Sequence, residues 1–309
     1  MITVEKASYL GVADCLRLTN GTVDVVVATA FGPRVLHYGL TGGDNVLGWC
    51  PERVTATRWG PWRPRGGHRL WAAPEAMPRS YAADDEPVEF TVEGDTVRLR
   101  QRTDRAGIRK EVSVTVGAAG SGVTLRHTIA NEGLWPIEAA PWALTIVRGG
   151  GTAIIPQEPW ASHDDALDAA RALVLWPYTD MADPRFTWAS RYVFLRDDPA
   201  RSAPQKVGAS NRLGWCAYHA GHTLFVKRFA HRRGVTYPDF GCSCEVSVAG
   251  GFAEVETLGP LQRLEPGEAS AEHVERWVLV PDVALPAGAH EGALRAVNDV
   301  LRLDGEPAA

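Results

Sequence analysis

A chain of 309 residues, 45% hydrophobic and 22% charged, has the balance of a globular protein long enough to bury a large core. Its formal charge of −5 offers no bulk attraction to nucleic acid or to an anionic membrane. Five cysteines are too few and too scattered for a disulfide scaffold, and the opening MITVEKASYLGVADCLRLTN lacks the basic start and apolar run of a signal peptide, so a cytoplasmic setting is expected.

Strand signals dominate in chain order. The β-branched run Thr22 to Thr29 follows the turn pair Asn20-Gly21, and Pro33 to Gly39 comes next. A meander spans Val88 to Ile129, its alternating runs closed by Gly94-Asp95, by Ala106-Gly107 and by a glycine-rich turn, which is the pattern of antiparallel hairpins. Further strands are predicted over Ile137 to Val147, Arg191 to Leu195, Gly214 to His219, Thr223 to Phe229, Cys244 to Val248, Phe252 to Leu258 and His273 to Val280. Two helices are predicted: a short one over His163 to Leu173, with acidic residues in its first turn, and an amphipathic one over Ala289 to Leu303 with Leu294, Val297 and Leu301 on one stripe. About fifteen strands without a βαβ rhythm argue for one large antiparallel sandwich domain over residues 1–309. The stretches Arg53 to Glu86 and Pro156 to Ser190 exceed ordinary connections, and long loops of this kind usually carry function.

No P-loop, dinucleotide fingerprint, H-E-x-x-H or G-x-S-x-G is present. Cys242 and Cys244, two apart, would share one strand face, as packed thiols or as half of a metal site that has no second cysteine pair. His219 and His222 straddle a turn, and His163-Asp164-Asp165 is either a solvated helix start or a cation site. Two segments differ from strand filler. In RGGHRLWAAPE, Arg65 to Glu75, paired glycines permit close backbone approach, and His68, Arg69, Trp71 and Glu75 follow within eight residues. The segment reads equally as a ligand loop, with His68 exchanging protons and Trp71 stacking on a sugar face, or as a glycine turn with a buried tryptophan. In Phe252 to Gly267, Glu254 and Glu256 share a strand face, which is either a solvated edge or a way to raise a carboxyl pKa for acid–base work.

The closing segment, Glu256-Thr257, Leu258-Gly259-Pro260 and Leu264-Glu265-Pro266-Gly267, resembles that of the galactose mutarotase-like family, the aldose 1-epimerases. In that family an E-T-Q strand carries the catalytic base and precedes a proline-containing turn, an L-x-P-G-E turn and a last strand, here His273 to Val280. The closer resemblance is to a bacterial branch with G-G-H-R-L-W-x-x-P-E, P-W-A-L-T and E-T-L-G-P-L segments.

The resemblance implies an all-β supersandwich with a sugar-sized cleft on one sheet face, no cofactor or metal, and a small carbohydrate or sugar derivative as partner. It matches Glu256 to the catalytic base and His68 to a family histidine, here in the order Gly-Gly-His, and makes Asp239 a candidate for the substrate-binding aspartate. The family's general-acid histidine is replaced by Ala140-Pro141-Trp142, so that His68, Lys206 or Glu75 would supply the acid. Trp176, Tyr178, Asp180 and Arg185 in the second long stretch either offer the stacking and hydrogen bonding a polyol needs or pin their own loop. Lys206 and Lys227 are two of only four lysines among 32 basic residues, which reads either as a requirement for a compact ammonium or as a chance surface position. Three functions remain open: a cofactor-free acid–base enzyme, a carbohydrate-binding protein without turnover, and a lyase or isomerase of a biosynthetic intermediate.

Overall fold

The computed structural model describes residues 2–285, and the helix expected over Ala289 to Leu303 lies outside them. Two large antiparallel sheets face one another. The first runs in space through Thr3–Tyr9, Val12–Thr19, Val23–Ala28, Arg34–Leu40, His68–Ala73, Ile137–Val147, Ala253–Leu258, Cys244–Val248, Gln205–Ala209 and Leu173–Leu175, with Gln262–Leu264 joined to the start of Ile137–Val147. The second runs through Glu89–Glu93, Thr96–Arg100, Ile108–Val116, Val123–Asn131, His273–Val280, Thr223–Phe229, Trp215–Ala220, Thr152–Pro156, Tyr192–Arg196 and Phe186–Trp188.

The period-two pattern sets what each strand buries. Leu70 and Ala72, Val255, Val246 and Val207 turn from the first sheet into the main core, where they meet Leu125, Ile129, Phe225, Trp277 and Leu279 of the second. The intervening residues of the first sheet point the other way, where Trp62, Trp71, Trp142, Leu144 and Leu258 form a separate aromatic cluster. This outer face positions the cleft.

Predicted strands are found within one or two residues of their expected limits, except that the run Thr96 to Thr103 ends as a strand at Arg100, and Ile137–Val147, Thr223–Phe229, Cys244–Val248 and His273–Val280 agree at both ends. Two expectations are corrected. His163 to Leu173 forms no helix: it is a turn in which Asp165 N–H bonds Ser162 O at 3.1 Å, and Leu167 is 79% exposed. With no apolar face to bury, nothing there offsets the cost of nucleating a helix. Nor is RGGHRLW a loop, because His68–Ala73 is a central strand of the first sheet.

Candidate functional site

The cleft lies over five neighbouring strands of the first sheet, and strand register assembles it. Ala253–Leu258 pairs with Ile137–Val147 so that Leu144 faces Glu256, and with Cys244–Val248 so that Glu245 faces Glu256 and Ser247 faces Glu254. Ile137–Val147 in turn sets Leu144 against Arg69 and Trp142 against Trp71. Gln205–Ala209 adds Lys206 opposite Ser247. Alternation thus sends Arg69, Trp71, Trp142, Leu144, Lys206, Glu254 and Glu256 to one side of the sheet. They line a cleft of about 490 Å³, walled by Trp62, Tyr81 and Phe252 and rimmed by Arg53, Glu75 and Tyr178.

On the floor, Glu256 is 1% exposed, and its Oε2 accepts from Trp142 Nε1 at 2.9 Å and from Lys206 Nζ at 3.2 Å. Lys206 also pairs with Glu245 Oε2 at 2.6 Å and lies 4.5 Å from the Trp176 ring centroid. Burial alone would lower its pKa, but Glu245 and Glu256 more than offset that and hold it as an ammonium. One cation between two carboxylates leaves an excess negative charge. Burial, with Glu256 adding to it, accordingly pushes the Glu245 carboxyl well above its ordinary value despite Lys206.

Arg69 forms the second polar centre. Its guanidinium pairs with Glu254 Oε1 at 3.0 Å and packs over Trp71 and Trp62, 4.8 and 5.4 Å from their centroids. It is 3% exposed, and its Nε and NH1 have no hydrogen-bond partner among the described residues. Such donors are costly in a protein on its own and useful to one that binds an oxygen-rich ligand. Burial raises the Glu254 pKa; Arg69 opposes this and the Glu256 charge reinforces it. Tyr81 Oη donates to Glu75 at the rim.

Five expected site residues stand elsewhere. His68 precedes Arg69 on the same strand and therefore faces the core, where its Nε2 is 2.8 Å from His127 Nε2. Lys227 is fully buried between the sheets, its ammonium spent on Glu275 at 2.8 Å, Thr145 at 2.8 Å and the Val255 carbonyl at 3.1 Å. Arg185 staples its own loop, donating to Asp183 and to the Arg201 and Ala203 carbonyls. Asp180 shapes a turn by accepting from Ala182 N–H at 2.9 Å. Asp239 lies outside the cleft lining, in the Pro238–Gly241 turn with a φ of 51°. Trp176 backs Lys206, and Tyr178 lines the cleft.

The core polar system was missed by sequence reasoning. Its signal is a run of polar residues at inward positions of otherwise apolar strands: His68, His127, Thr145, Lys227, Thr257, His273 and Glu275. Its protons can be assigned from one fixed point, since His127 Nδ1 must donate to the His273 carbonyl at 2.9 Å. His127 Nε2 then accepts from His68 Nε2, and His68 Nδ1 accepts from Thr145 Oγ1 at 2.9 Å, while Thr145 accepts from Lys227. His273 Nε2 donates to Thr257 at 2.6 Å, Thr257 to Glu275, and Trp277 Nε1 to Glu275 Oε2 at 2.7 Å. All three histidines are neutral in this scheme, in keeping with burial holding His68 well below the usual imidazole value and lowering His127 and His273, the last to about 3.

Among the described residues, His68, His127 and Glu275 are the group of potential metal ligands whose donor atoms lie within 4.8 Å of one another. Chemically they suit protons better than a cation, because Lys227 already neutralises Glu275 and a divalent ion would leave two positive charges uncompensated in a dry core. Cys242 and Cys244 are buried free thiols, with Cys244 turned into the main core.

No protein-family model matches the sequence, and no curated protein matches it in sequence. Solved structures do match in shape. A galactose mutarotase-like protein from Lactobacillus casei superposes with a TM-score of 0.55 at 10% identity, over 86% of this chain and 100% of the other. One from Clostridium acetobutylicum gives 0.50 at 8% identity, over 91% and 99%. The chain has the galactose mutarotase-like fold. A TPR-domain containing protein from Parabacteroides distasonis gives 0.57 at 14% identity over 88% of this chain, which spans about half, 48%, of that longer one.

Within the galactose mutarotase-like sandwich, Gly66 and Gly67 serve the backbone and not a ligand. A Cβ at Gly66 would meet Gly48 O at 2.3 Å and one at Gly67 would meet Val35 O at 2.1 Å, and both residues have positive φ, 125° and 71°. Trp62, Tyr81, Arg53 and Phe252 of the cleft lining were not anticipated, nor was Glu245, the second carboxylate paired with Lys206. Glu245 was legible in principle, as the charged member of the alternating run Cys244–Val248.

Proposed function

We propose that the protein is a carbohydrate-directed acid–base enzyme of the aldose 1-epimerase type, with Glu256 as the base. The observation that carries this reading is the Glu256 carboxylate on the floor of an aromatic-walled cleft, with a lysine ammonium 3.2 Å away. The fold shared with galactose mutarotase-like proteins supports it at the level of architecture alone.

Trp142 and Lys206 both donate to Oε2, so Oε1 is the atom that takes the proton of the anomeric hydroxyl. As that O–H bond breaks, the C1–O1 bond becomes a carbonyl, the C1–O5 bond opens, and the ring oxygen takes a proton. His68 lies on the wrong side of the sheet to supply it. Lys206 is the donor, because O1 and O5 share one carbon and two catalytic groups 3.2 Å apart can face both. Rotation about C1–C2 and closure from the other face return both protons. Glu245 balances Lys206 when its proton moves, and Arg69 holds sugar hydroxyls with its unpartnered Nε and NH1 nitrogens. Trp62, Trp71 and Tyr81 supply flat apolar faces for sugar C–H groups. Only protons move, so the reaction needs no redox group.

One observation favours a second reading, a carbohydrate-binding protein without turnover: among the described residues, no histidine lines the cleft. Anomeric exchange measured by NMR on the wild type and Glu256→Gln separates the two. An enzyme loses exchange in the variant and keeps binding; a binding protein shows no catalysed exchange in either.

A further inference from the structure

A second hollow of about 440 Å³ lies beside the cleft, and both are bordered by Tyr81. The wall between them is the hairpin formed by Thr55–Thr57 and Gly60–Trp62. Thr55 and Trp62 line the cleft, while Thr57, Trp59, Gly60 and Pro61 line the hollow. Tyr81 marks the seam, its ring packed 5.2 Å from Trp62 and 5.0 Å from Trp71.

The hollow has a built polar floor. Asp84 is held by Arg34 at 2.5 Å and Asp104 by Lys110 at 3.1 Å, so these carboxylates are fixed by buried cations beneath them. Among the described residues, two acceptor atoms of the lining have no hydrogen-bond partner: Asp84 Oδ1, and Oε1 of Gln101, a side chain only 7% exposed. Buried acceptors left unpaired cost stability unless a donor reaches them, and a polyol presents hydroxyl donors at close intervals. Trp59 adds an aromatic face to the same hollow.

Resting on the carbohydrate reading of the cleft, we propose that the ligand is longer than one sugar. The unit whose anomeric carbon meets Glu256 occupies the cleft. A second glycosyl unit passes Tyr81 and lies in the hollow, its hydroxyls donating to Gln101 Oε1 and Asp84 Oδ1 and its C–H face against Trp59.

The test is a calorimetric binding series with glucose, galactose, maltose, cellobiose, lactose and the matching trisaccharides. It is run on the wild type, Trp59→Ala and Gln101→Leu; both substitutions lie outside the cleft lining. The expected result is at least a tenfold gain in affinity from monosaccharide to one class of disaccharide. Each variant should lose most of that gain and bind the monosaccharide as the wild type does. Monosaccharide binding with no gain on lengthening would overturn the hollow as a subsite and leave the cleft standing. A gain unchanged in both variants would do the same. Binding of no saccharide by the wild type would overturn the cleft reading and this proposal together.

Discussion

The ammonium of Lys206 stands 3.2 Å from the Glu256 carboxylate under a cover of tryptophan, and both side chains are almost fully buried. The pair is reached from different strands, with the Glu245 strand between them. It couples the proposed chemistry to the stability of the cleft floor, because removing either charge alters the balance for the other.

Lys206→Met should therefore destabilise the fold as well as abolish exchange. Breaking a buried pair from one side costs about 3–5 kcal/mol, and here two carboxylates are left facing one another. Adding Glu245→Gln should recover part of that loss by removing one of the two charges. Urea unfolding of the single and double variants checks this; equal stabilities would show that Glu245 does not depend on Lys206.

The core histidines give the protein an acid limit. Their folded-state pKa values lie below the unfolded value, so the native state stays unprotonated while the unfolded chain takes up protons. Their contribution is complete above about pH 6.5 and declines as pH falls below it. Each histidine steepens the decline by about 1.4 kcal/mol per pH unit, until its own folded pKa is reached. Glu275 adds a later loss: its pKa is depressed because the Lys227 ammonium beside it outweighs its burial, so its stabilisation is present above the ordinary carboxylate range and disappears at lower pH. Unfolding free energies from pH 8 to pH 4 should show the first decline starting near 6.5 and becoming shallower in His68→Gln. A flat profile down to pH 5 would contradict neutral core histidines.

Glu275→Gln isolates the role of the core from that of the cleft. It leaves the Lys227 ammonium, fully buried, without a counter-charge, at a cost of about 3–5 kcal/mol. Glu256→Gln leaves Lys206 its partner Glu245 and should cost clearly less. Thermal or denaturant melts of the two variants side by side decide the point, and the reverse order would mean that the two polar systems have been assigned the wrong roles.

Arg69→Lys preserves a cation beside Glu254 but loses the planar fork with its unpartnered Nε and NH1. Sugar affinity should fall by about tenfold or more, as for a lost charged hydrogen bond of roughly 1.5–3 kcal/mol, with exchange at saturating sugar less affected. Full affinity in the variant would remove Arg69 from ligand binding.

The sequence carried the strands well because each apolar alternation is local, and local pattern decides strand limits when both faces are covered. The cleft was half legible. Spacing put Glu254 and Glu256 on one strand face, the family resemblance singled out Glu256, and Trp71 came from the company it keeps. Which side of a sheet a residue faces depends on whether its segment is a strand at all. Taking RGGHRLW for a loop placed His68 with Arg69, whereas one step along a strand separates them by the thickness of the sheet. Lys227 was singled out for its rarity, which was informative about constraint but silent about location: the constraint is a buried partner, Glu275, 48 positions away. Glu245 and Trp142 join Glu256 through pairing between strands distant in sequence, and no short-range signal encodes that pairing.

The most direct test of the central claim is exchange NMR of anomeric protons over a panel of aldoses, sugar acids and disaccharides, with Glu256→Gln measured beside the wild type. The wild type should accelerate α/β exchange for at least one sugar, and the variant should bind that sugar without accelerating it. Acceleration that survives in Glu256→Gln, or sugar binding by the wild type with no acceleration for any sugar, would contradict the claim.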